Sequence, residues 1–271
     1  MRTFRDKVVL LTGASSGIGR KMALLLLQKP LRALVLVARE AQSIDRPDEG
    51  VGVKMLAVEV DLRRPEAGQE LLQKVRQEGL KVDVVINCAG YGVAGEFHRL
   101  DVAEVQGMVD LNCRAMAQIT HAFLPDILDG GDGAILNVAS IQAELPVPLF
   151  ALYAATKAFV VSFSQSLHYE YKERVTVLCV CPGPTTGTNF GKRAGIKVDN
   201  IRPWSSFIKV PVENADEVAR RCIQAMTGPP KTIMYTSRIT RIMMWFAHIL
   251  PTLWLADICR RSLISSLRAE R

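Results

Sequence analysis

A tyrosine and a lysine stand four positions apart in a segment whose apolar pattern predicts a helix over residues 152–172. At that spacing Tyr153 and Lys157 lie on the same helix face. A free phenol has a pKa of about 10, which is too high for ready proton exchange at neutral pH. A nearby ammonium stabilises the phenolate and lowers that pKa. The pair therefore predicts a general acid/base that works near physiological pH.

A serine follows the apolar run Gly133–Ala139, which predicts a buried strand. At the end of a strand in a parallel sheet, Ser140 lies at the carboxyl edge, where such sheets bind ligands. Its hydroxyl is then placed to donate a hydrogen bond to a substrate carbonyl oxygen beside Tyr153. Together these donors favour stabilisation of an alkoxide that develops as a hydride arrives.

A glycine-rich loop joins the first predicted strand, Lys7–Thr12, to the first predicted helix, 17–29. Glycines at this place allow a tight turn and the close approach of a pyrophosphate, which then sits at the helix N-terminus. The position between strand and helix favours a dinucleotide site over a merely structural turn. The residues expected to form the site are Gly13, Ser15, Ser16, Gly17, Ile18 and Gly19.

The end of the second predicted strand, Ala33–Ala38, indicates which dinucleotide is bound. An acidic residue there would bind the ribose 2′-hydroxyl and select NAD, but Ala38 holds that position and Arg39 follows it. A planar guanidinium suits the 2′-phosphate of NADP, so NADP(H) is the predicted cofactor. Two alternatives stay open: Glu40 takes the acidic role one residue later, or Arg39 is only a solvated charge.

The elements that must position these residues alternate along the chain. Apolar strand-like runs occur at 7–12, 33–38, 53–60, 82–87, 133–139, 175–181 and 231–236, and helical patterns at 17–29, 65–78, 102–126, 152–172 and 214–226. Strands that are apolar on both faces, separated by helices, predict an α/β fold with one Rossmann-type doubly wound parallel sheet of about seven strands. We expect one domain over 1–230, with a substrate loop at 184–212, and a helical extension over 231–271.

Six motifs, in order and in register from about residue 5 to residue 230, resemble those of the classical short-chain dehydrogenases/reductases, in particular the bacterial ketoacyl and steroid-type reductases. These are TGASSGIG, Asn87-Cys88-Ala89-Gly90, Asn112, Ser140, the pair Tyr153 and Lys157, and Pro182-Gly183. Cys88 departs from the family's usual second Asn without touching a predicted catalytic role.

The resemblance implies roles for further residues. Asn112 would complete a water-linked proton relay to Lys157, which would also bind the nicotinamide ribose. Asp61 and Leu62 would flank the adenine, and Asn87 would hold the central strands around the cofactor. The remaining cofactor contacts it implies are Ala89, Gly90, Pro182, Gly183 and either Thr185 or Thr188.

The predicted activity is NADPH-dependent reduction of a ketone or aldehyde of a hydrophobic substrate, with Tyr153 as general acid. The segment between Ser140 and Tyr153 contains Pro146, Pro148 and Leu149, which favours a largely apolar pocket. A 3-oxoacyl chain, a steroid-like ketone or another bulky carbonyl fits this description, and the first implies a role in lipid metabolism. The alternative is a non-catalytic NADP(H)-binding regulator or scaffold on the same fold.

The net charge of +7 is unevenly placed along the 271 residues. The last 41 residues hold seven Lys or Arg and two acids, so the body is close to neutral. A neutral body with a basic, apolar tail does not resemble a nucleic-acid-binding surface, and no nucleic-acid partner is expected. The four histidines have no metal-ligand spacing, and no metal is expected. Six cysteines without a CxxC pair indicate a reducing compartment.

The tail segment Ile242–Ala256 is apolar at 12 of 15 positions and is interrupted by Pro251. Trp245 and Trp254 suit a membrane interface. The segment is too short and broken to span a bilayer, and Val8–Leu11 is too short for a signal peptide. We therefore expect a cytoplasmic protein, and the family resemblance implies a homo-oligomer, here a homodimer. Its tail either makes peripheral membrane contact or packs within the domain or dimer.

Overall fold

The apolar runs of the sequence form one parallel sheet in the computed structural model, which describes residues 1–40, 42, 44, 52–196, 212–229 and 231–267. Six of its strands are β1 Val8–Thr12, β2 Ala33–Ala38, β3 Lys54–Glu59, β4 Val84–Asn87, β5 Gly133–Val138 and β6 Val175–Cys181. A separate pair joins β7 Thr185–Thr186 to β8 Glu213–Asn214, and β9 Ile233–Tyr235 completes the main sheet. The order β3-β2-β1-β4-β5-β6-β9 confirms the predicted seven-stranded, doubly wound sheet.

Helices cover both faces of this sheet. They are α1 Gly17–Leu26, α2 Ala67–Gln77, α3 Val102–Val109, α4 Met116–Gly130, α5 Ala151–Tyr171, α6 Phe190–Ala194, α7 Ala215–Met226, α8 Arg238–Ala247 and α9 Thr252–Leu267. Successive residues of each strand point to opposite faces, so the core has two halves. Val9 and Leu11 pack toward α1 and α7, whereas Val8 and Leu10 pack toward α2 and α4.

The single helix predicted over 102–126 is interrupted. α3 ends at Val109, a π-helical turn covers Asp110–Ala115, and α4 continues from Met116 to Gly130. A π turn inserts one residue into the helix and is common at functional sites. Periodicity could not reveal it because the apolar pattern continues on both sides.

The C-terminal helices pack on the body. Met243, Met244 and Ala247 of α8 enter a buried cluster that includes Ile141 and Val160. α8 ends before Pro251 and α9 starts directly after it, as expected for a proline that breaks a helix. None of the described helices is long and apolar enough to cross a bilayer. Of the predicted substrate loop 184–212, residues 197–211 lie outside the described residues.

Candidate functional site

The glycine loop packs tightly between β1 and β4. Gly13 has a φ of +71°, and a Cβ placed on Gly19 would lie only 2.2 Å from the carbonyl oxygen of Gly13. Thr12 Oγ1 accepts hydrogen bonds from the backbone N–H groups of Cys88 and Ala89, both at 3.1 Å. Thr12 therefore ties the loop to the end of β4, a role that the sequence did not single out although Thr12 begins the motif.

The start of α1 has the features of a phosphate site. Ser16 is its N-cap and makes no side-chain capping hydrogen bond. The first N–H groups of the helix are therefore open to another acceptor, at the positive end of the helix dipole. The absence of Cβ atoms at Gly13 and Gly19 keeps the loop close enough for a pyrophosphate to reach them. The residues present thus fit a dinucleotide.

The carboxyl edge of the sheet carries a cleft of ≈ 360 Å³. Fifteen of the predicted site residues line it: Gly13, Ser16, Gly17, Ile18, Gly19, Arg39, Ala89, Gly90, Ser140, Tyr153, Lys157, Pro182, Gly183, Thr185 and Thr188. The other predicted residues are not among its lining residues: Ser15, Asp61, Leu62, Asn87 and Asn112.

Asp61 and Leu62 each make other contacts in the structure. Asp61 accepts two hydrogen bonds from the guanidinium of Arg63, the shorter at 2.7 Å from Nη2. Arg63 thereby holds the pKa of the Asp61 carboxyl below its ordinary value. Leu62 is buried in the core half beside α2. Neither side chain lines the cleft, and their contact with an adenine stays a prediction.

Asn87 links strands and helices behind the cleft. Its Nδ2 donates to Asn137 Oδ1 on β5 at 2.9 Å and to Thr120 Oγ1 on α4 at 3.1 Å. Asn137 in turn donates to Ser164 Oγ on α5 at 2.9 Å. This buried chain joins β4, β5 and both helices, so Asn87 holds the central strands without itself lining the cleft.

The side chain of Lys157 projects from α5 and is buried. Its Nζ donates to the carbonyl oxygen of Val138 at 2.8 Å and lies 5.8 Å from the centroid of the Tyr153 ring. Burial lowers the pKa of the Lys157 ammonium below its ordinary value of 10.5. The cation is thus held at the end of β5 by a backbone acceptor rather than by a carboxylate.

The expected lowering of the Tyr153 pKa is not what the structure shows. Burial raises the pKa of the Tyr153 phenol above its ordinary value, and a hydrogen bond with Ser140 opposes this rise only in part. The reason is desolvation, which disfavours the phenolate. The hydrogen bond that Lys157 Nζ donates goes to the carbonyl oxygen of Val138 rather than to the phenol.

Ser140 lies two residues beyond the end of β5. Its Oγ accepts a hydrogen bond from the N–H of Gln142 at 3.2 Å and caps the short 3₁₀ helix Ile141–Glu144. The cap fixes the hydroxyl at the cleft beside Tyr153.

Asn112 occupies the π turn and is almost fully buried. Its Nδ2 donates to the carbonyl oxygen of Tyr91 at 2.8 Å and to Thr156 Oγ1 at 3.0 Å. Its Oδ1 accepts from the N–H of Tyr91 at 3.1 Å. A Cβ on Gly90 would lie 3.1 Å from Asn112 Oδ1 and 3.2 Å from Lys157 Nζ. Asn112 Oδ1 and Lys157 Nζ therefore both lie beside Gly90, and the proton relay between them stays a prediction.

Two phenylalanine rings pack directly on the ring of Tyr153, and one of them, Phe190, also lines the cleft. Ring centroids lie 4.6 Å from Tyr153 for Phe150 and 5.2 Å for Phe190. Cys259 and Leu263 of α9 belong to the same buried cluster. The sequence did not predict that Phe190 and α9 pack beside Tyr153, because no local pattern indicates which distant helix contacts this tyrosine.

A second guanidinium that the sequence did not single out lines the cleft. Arg193 of α6 places its guanidinium carbon 3.7 Å from the centroid of the Tyr91 ring. Burial lowers the pKa of Arg193, and the positive charge of Arg39 lowers it further. Two like charges thus stand near one another at the mouth of a site that fits a phosphorylated ligand.

Comparisons with known proteins agree with this geometry. A family model described as short chain dehydrogenase matches residues 7–198. An uncharacterized oxidoreductase of Staphylococcus epidermidis is 31% identical over 207 residues, covering 74% of this chain and 90% of that protein. The ketoacyl reductase HetN of Nostoc sp. is 28% identical over 263 residues, covering 93% of this chain and 88% of HetN.

A solved structure also matches over nearly the whole chain. It is a short-chain dehydrogenase from Sphingobium yanoikuyae in complex with NADPH, with a TM-score of 0.77, 29% identity and 98% coverage of both chains. The family model alone covers well over half of the present sequence. The chain therefore belongs to the short-chain dehydrogenase family and is an oxidoreductase that uses a nicotinamide dinucleotide.

Proposed function

We propose that this protein uses NADPH to reduce a ketone or aldehyde group of a hydrophobic substrate. The observation that carries the proposal is the convergence of Ser140, Tyr153 and Lys157 on one cleft that Phe190 also lines. In this assignment residues 1–230 hold the cofactor and the reacting groups. Residues 231–271 are the extension, and its helices α8 and α9 pack in the buried clusters beside Ile141 and Tyr153.

The proton comes from Tyr153. Burial raises the pKa of the Tyr153 phenol, so it holds its proton at neutral pH, and the alkoxide that forms from the carbonyl is a strong enough base to take that proton. A carbonyl oxygen between Ser140 and Tyr153 accepts hydrogen bonds from both hydroxyls, and these strengthen as negative charge develops on it. Bound NADPH supplies the hydride to the carbonyl carbon. Lys157 then stabilises the phenolate, and Asn112 holds the backbone around Gly90 where protons are resupplied.

The preference for NADPH is supported by charge at the cleft mouth. Ala38 leaves no carboxylate at the usual NAD-selecting position, and Arg39 lines the cleft. Arg193 adds a second guanidinium within electrostatic range of Arg39. A 2′-phosphate would relieve the repulsion between these two cations. The Sphingobium relative is described in complex with NADPH.

The hydrophobic substrate class is supported by the cleft wall. Ile141, Phe190 and Ile196 line it with apolar surface, whereas a small polar carbonyl compound would leave that surface unused. HetN is named a ketoacyl reductase, which supports testing 3-oxoacyl compounds first, before steroid-like and other bulky carbonyls.

The experiment measures NADPH oxidation against a panel of 3-oxoacyl thioesters, steroid ketones and bulky aldehydes of graded size. We expect kcat/KM to rise with apolar chain length by about threefold or more per added pair of methylenes until the cleft is filled. Measurable NADPH binding without turnover of any member would contradict the proposal and favour a non-catalytic regulator or scaffold.

A homodimer is part of the proposal. α3 and α5 leave Val109 and Phe159 exposed, and Phe159 stacks on Phe163 with ring centroids 5.8 Å apart. Such a face suits a symmetric contact between two copies. Light scattering of the purified chain tests this, and Phe159→Ser should shift the mass toward the monomer.

A further inference from the structure

The C-terminal helices expose an unusual amount of apolar surface. Eight large apolar side chains between residues 239 and 254 are 36% to 86% exposed: Ile239, Ile242, Trp245, Phe246, Ile249, Leu250, Leu253 and Trp254. We call this set the outer face. The rest of the described chain exposes only six such side chains, scattered over four other regions. A contiguous apolar patch of this kind marks an interaction site.

The outer face is not needed to hold α8 in place. The opposite side of α8 carries Thr240, Met243, Met244 and Ala247, all buried against the body. The helix is therefore apolar on both sides, and only one side has a partner among the described residues. A helix that merely covered a domain would be polar on its outer side.

Basic side chains flank the outer face at both ends. Arg238 and Arg241 lie on the exposed side of α8, and Arg260 and Arg261 on the exposed side of α9. At 1.5 Å per residue they stand about 10–15 Å along their helices from the turn at 248–251. Leu253, 86% exposed, is beside that turn. The apolar residues thus form a tip with guanidiniums set back on both sides.

Negative charge is almost absent from this surface. Asp257 is the one acidic residue between 238 and 267, and it pairs with Arg261 at 2.6 Å. Within the described part of the chain, Arg238, Arg241 and Arg260 form no ion pair with a carboxylate. These cations are thus available to an anionic partner.

We propose that the outer face docks on an anionic lipid bilayer, with the tip in the interface and the arginines at the headgroups. Indole rings favour the depth that Trp245 and Trp254 would reach, and apolar side chains of an interfacial helix enter about 5–10 Å. A symmetric contact with a second copy is less favourable, because it would place the same arginines opposite one another.

One helix, α9, carries part of the outer face and also packs in the buried cluster that contains Tyr153. While Leu253 and Trp254 point outward, Cys259 and Leu263 on the other side of α9 pack in the cluster that contains Tyr153. A carbonyl substrate dissolved in the bilayer would then meet the cleft beside the docked helix. This consequence rests on the proposed function, whereas the docking itself does not.

The test is flotation of the purified full-length protein with vesicles of phosphatidylcholine containing no or 30 mol% phosphatidylglycerol. We expect binding to the anionic vesicles that weakens as salt is raised. Arg238→Gln with Arg241→Gln should weaken it about 30-fold, since each basic residue near such a surface adds roughly fivefold. Ile249→Ser with Leu253→Ser should weaken it at least tenfold because two apolar side chains no longer enter the interface.

Matched controls lie elsewhere on the surface. Tyr169→Ser removes an aromatic side chain that is 69% exposed, and Lys29→Gln removes an exposed charge; both should bind as the wild type does. NADPH binding by all variants shows that they are folded and is measured independently of turnover.

Three results would overturn the docking proposal. The first is no difference between neutral and anionic vesicles, and the second is unchanged binding by both outer-face variants. The third is a lipid-free dimer that Ile249→Ser with Leu253→Ser dissociates, which would assign the outer face to a second copy. Vesicle binding without carbonyl turnover would leave docking intact and count against the proposed function alone.

Discussion

At the scale of single residues, burial moves the proton affinities of Tyr153 and Lys157 in opposite directions. The pKa of the phenol rises and that of the ammonium falls. The first proton lost on raising the pH therefore comes from Lys157, not from the acid itself. The spacing of these two residues could be read from the sequence, but the desolvation that governs them depends on packing by distant segments.

This order predicts the pH dependence of reduction. Between pH 7 and 10.5, kcat/KM should fall as Lys157 loses its charge, with an apparent pKa below the ordinary 10.5. The reason is that neutral Lys157 no longer stabilises the phenolate or holds the cofactor ribose. In Tyr153→Phe, NADPH binding should weaken over the same pH range, because Lys157 is still present. If NADPH binding by that variant did not change over this range, the pH dependence would belong to Tyr153 and would contradict the account.

Arg39 should determine the choice of dinucleotide. Arg39→Ala removes a charge-assisted contact to the 2′-phosphate, so kcat/KM with NADPH should fall about 10- to 100-fold. The value with NADH should stay within about twofold, because NADH lacks that phosphate. Arg32→Ala, just before the start of the same strand, is the control. Equal losses with both dinucleotides would show that Arg39 is only a solvated charge.

At the scale of elements, the strands were the most predictable part of the molecule. β1, β2 and β6 are apolar at nearly every position because both of their faces are covered, and their observed bounds lie within a residue of those predicted. The π turn at Asn112 was not predictable. Neither was the position of α6, which lines the cleft, nor that of α9, which packs in the buried cluster around Tyr153. These features depend on contacts between segments far apart in the chain.

The close approach at Gly19 gives a prediction for the loop as a unit. In Gly19→Ala the new methyl group would overlap the carbonyl oxygen of Gly13, so the loop must move. We expect the free energy of unfolding to fall by about 1–3 kcal/mol and the Kd for NADPH to rise by at least tenfold. Denaturant titration and fluorescence titration measure these. In Gly52→Ala the new methyl group would meet no atom within 4 Å, so neither the free energy of unfolding nor the Kd for NADPH should change.

At the scale of the whole molecule, one buried carboxylate joins the loop after Ser140 to the C-terminal helices. Glu144 accepts a hydrogen bond from the hydroxyl of Tyr235 on β9, and its other oxygen lies 3.5 Å from His248 Nε2 at the end of α8. The link connects the segment that carries Ser140 with the helices that form the outer face.

This link predicts energetic coupling across the molecule. Glu144→Gln and Tyr235→Phe should each lower the free energy of unfolding by about 1–2 kcal/mol, and the double variant by clearly less than their sum. Urea denaturation of the four proteins of this cycle measures the coupling. If the two losses of unfolding free energy simply added, Glu144 and Tyr235 would not interact, which would contradict the prediction.

The uneven charge of the chain corresponds to one surface of the folded molecule. The sequence showed that the net positive charge concentrates after residue 230, where acidic residues are few, and the structure places four of the basic residues around the outer face of α8 and α9. The sequence alone could not separate the side of each helix that packs on the body from the side left exposed, because both sides are apolar.

The central claim is that Tyr153 delivers a proton to a carbonyl oxygen during reduction by NADPH. The most direct measurement compares NADPH oxidation by the wild type and Tyr153→Phe with the best carbonyl of the panel, alongside the Kd for NADPH of each. We predict that kcat falls about 10²- to 10⁴-fold, the usual loss when a general acid is removed, while the Kd changes less than threefold. Turnover by Tyr153→Phe at the rate of the wild type would contradict the account.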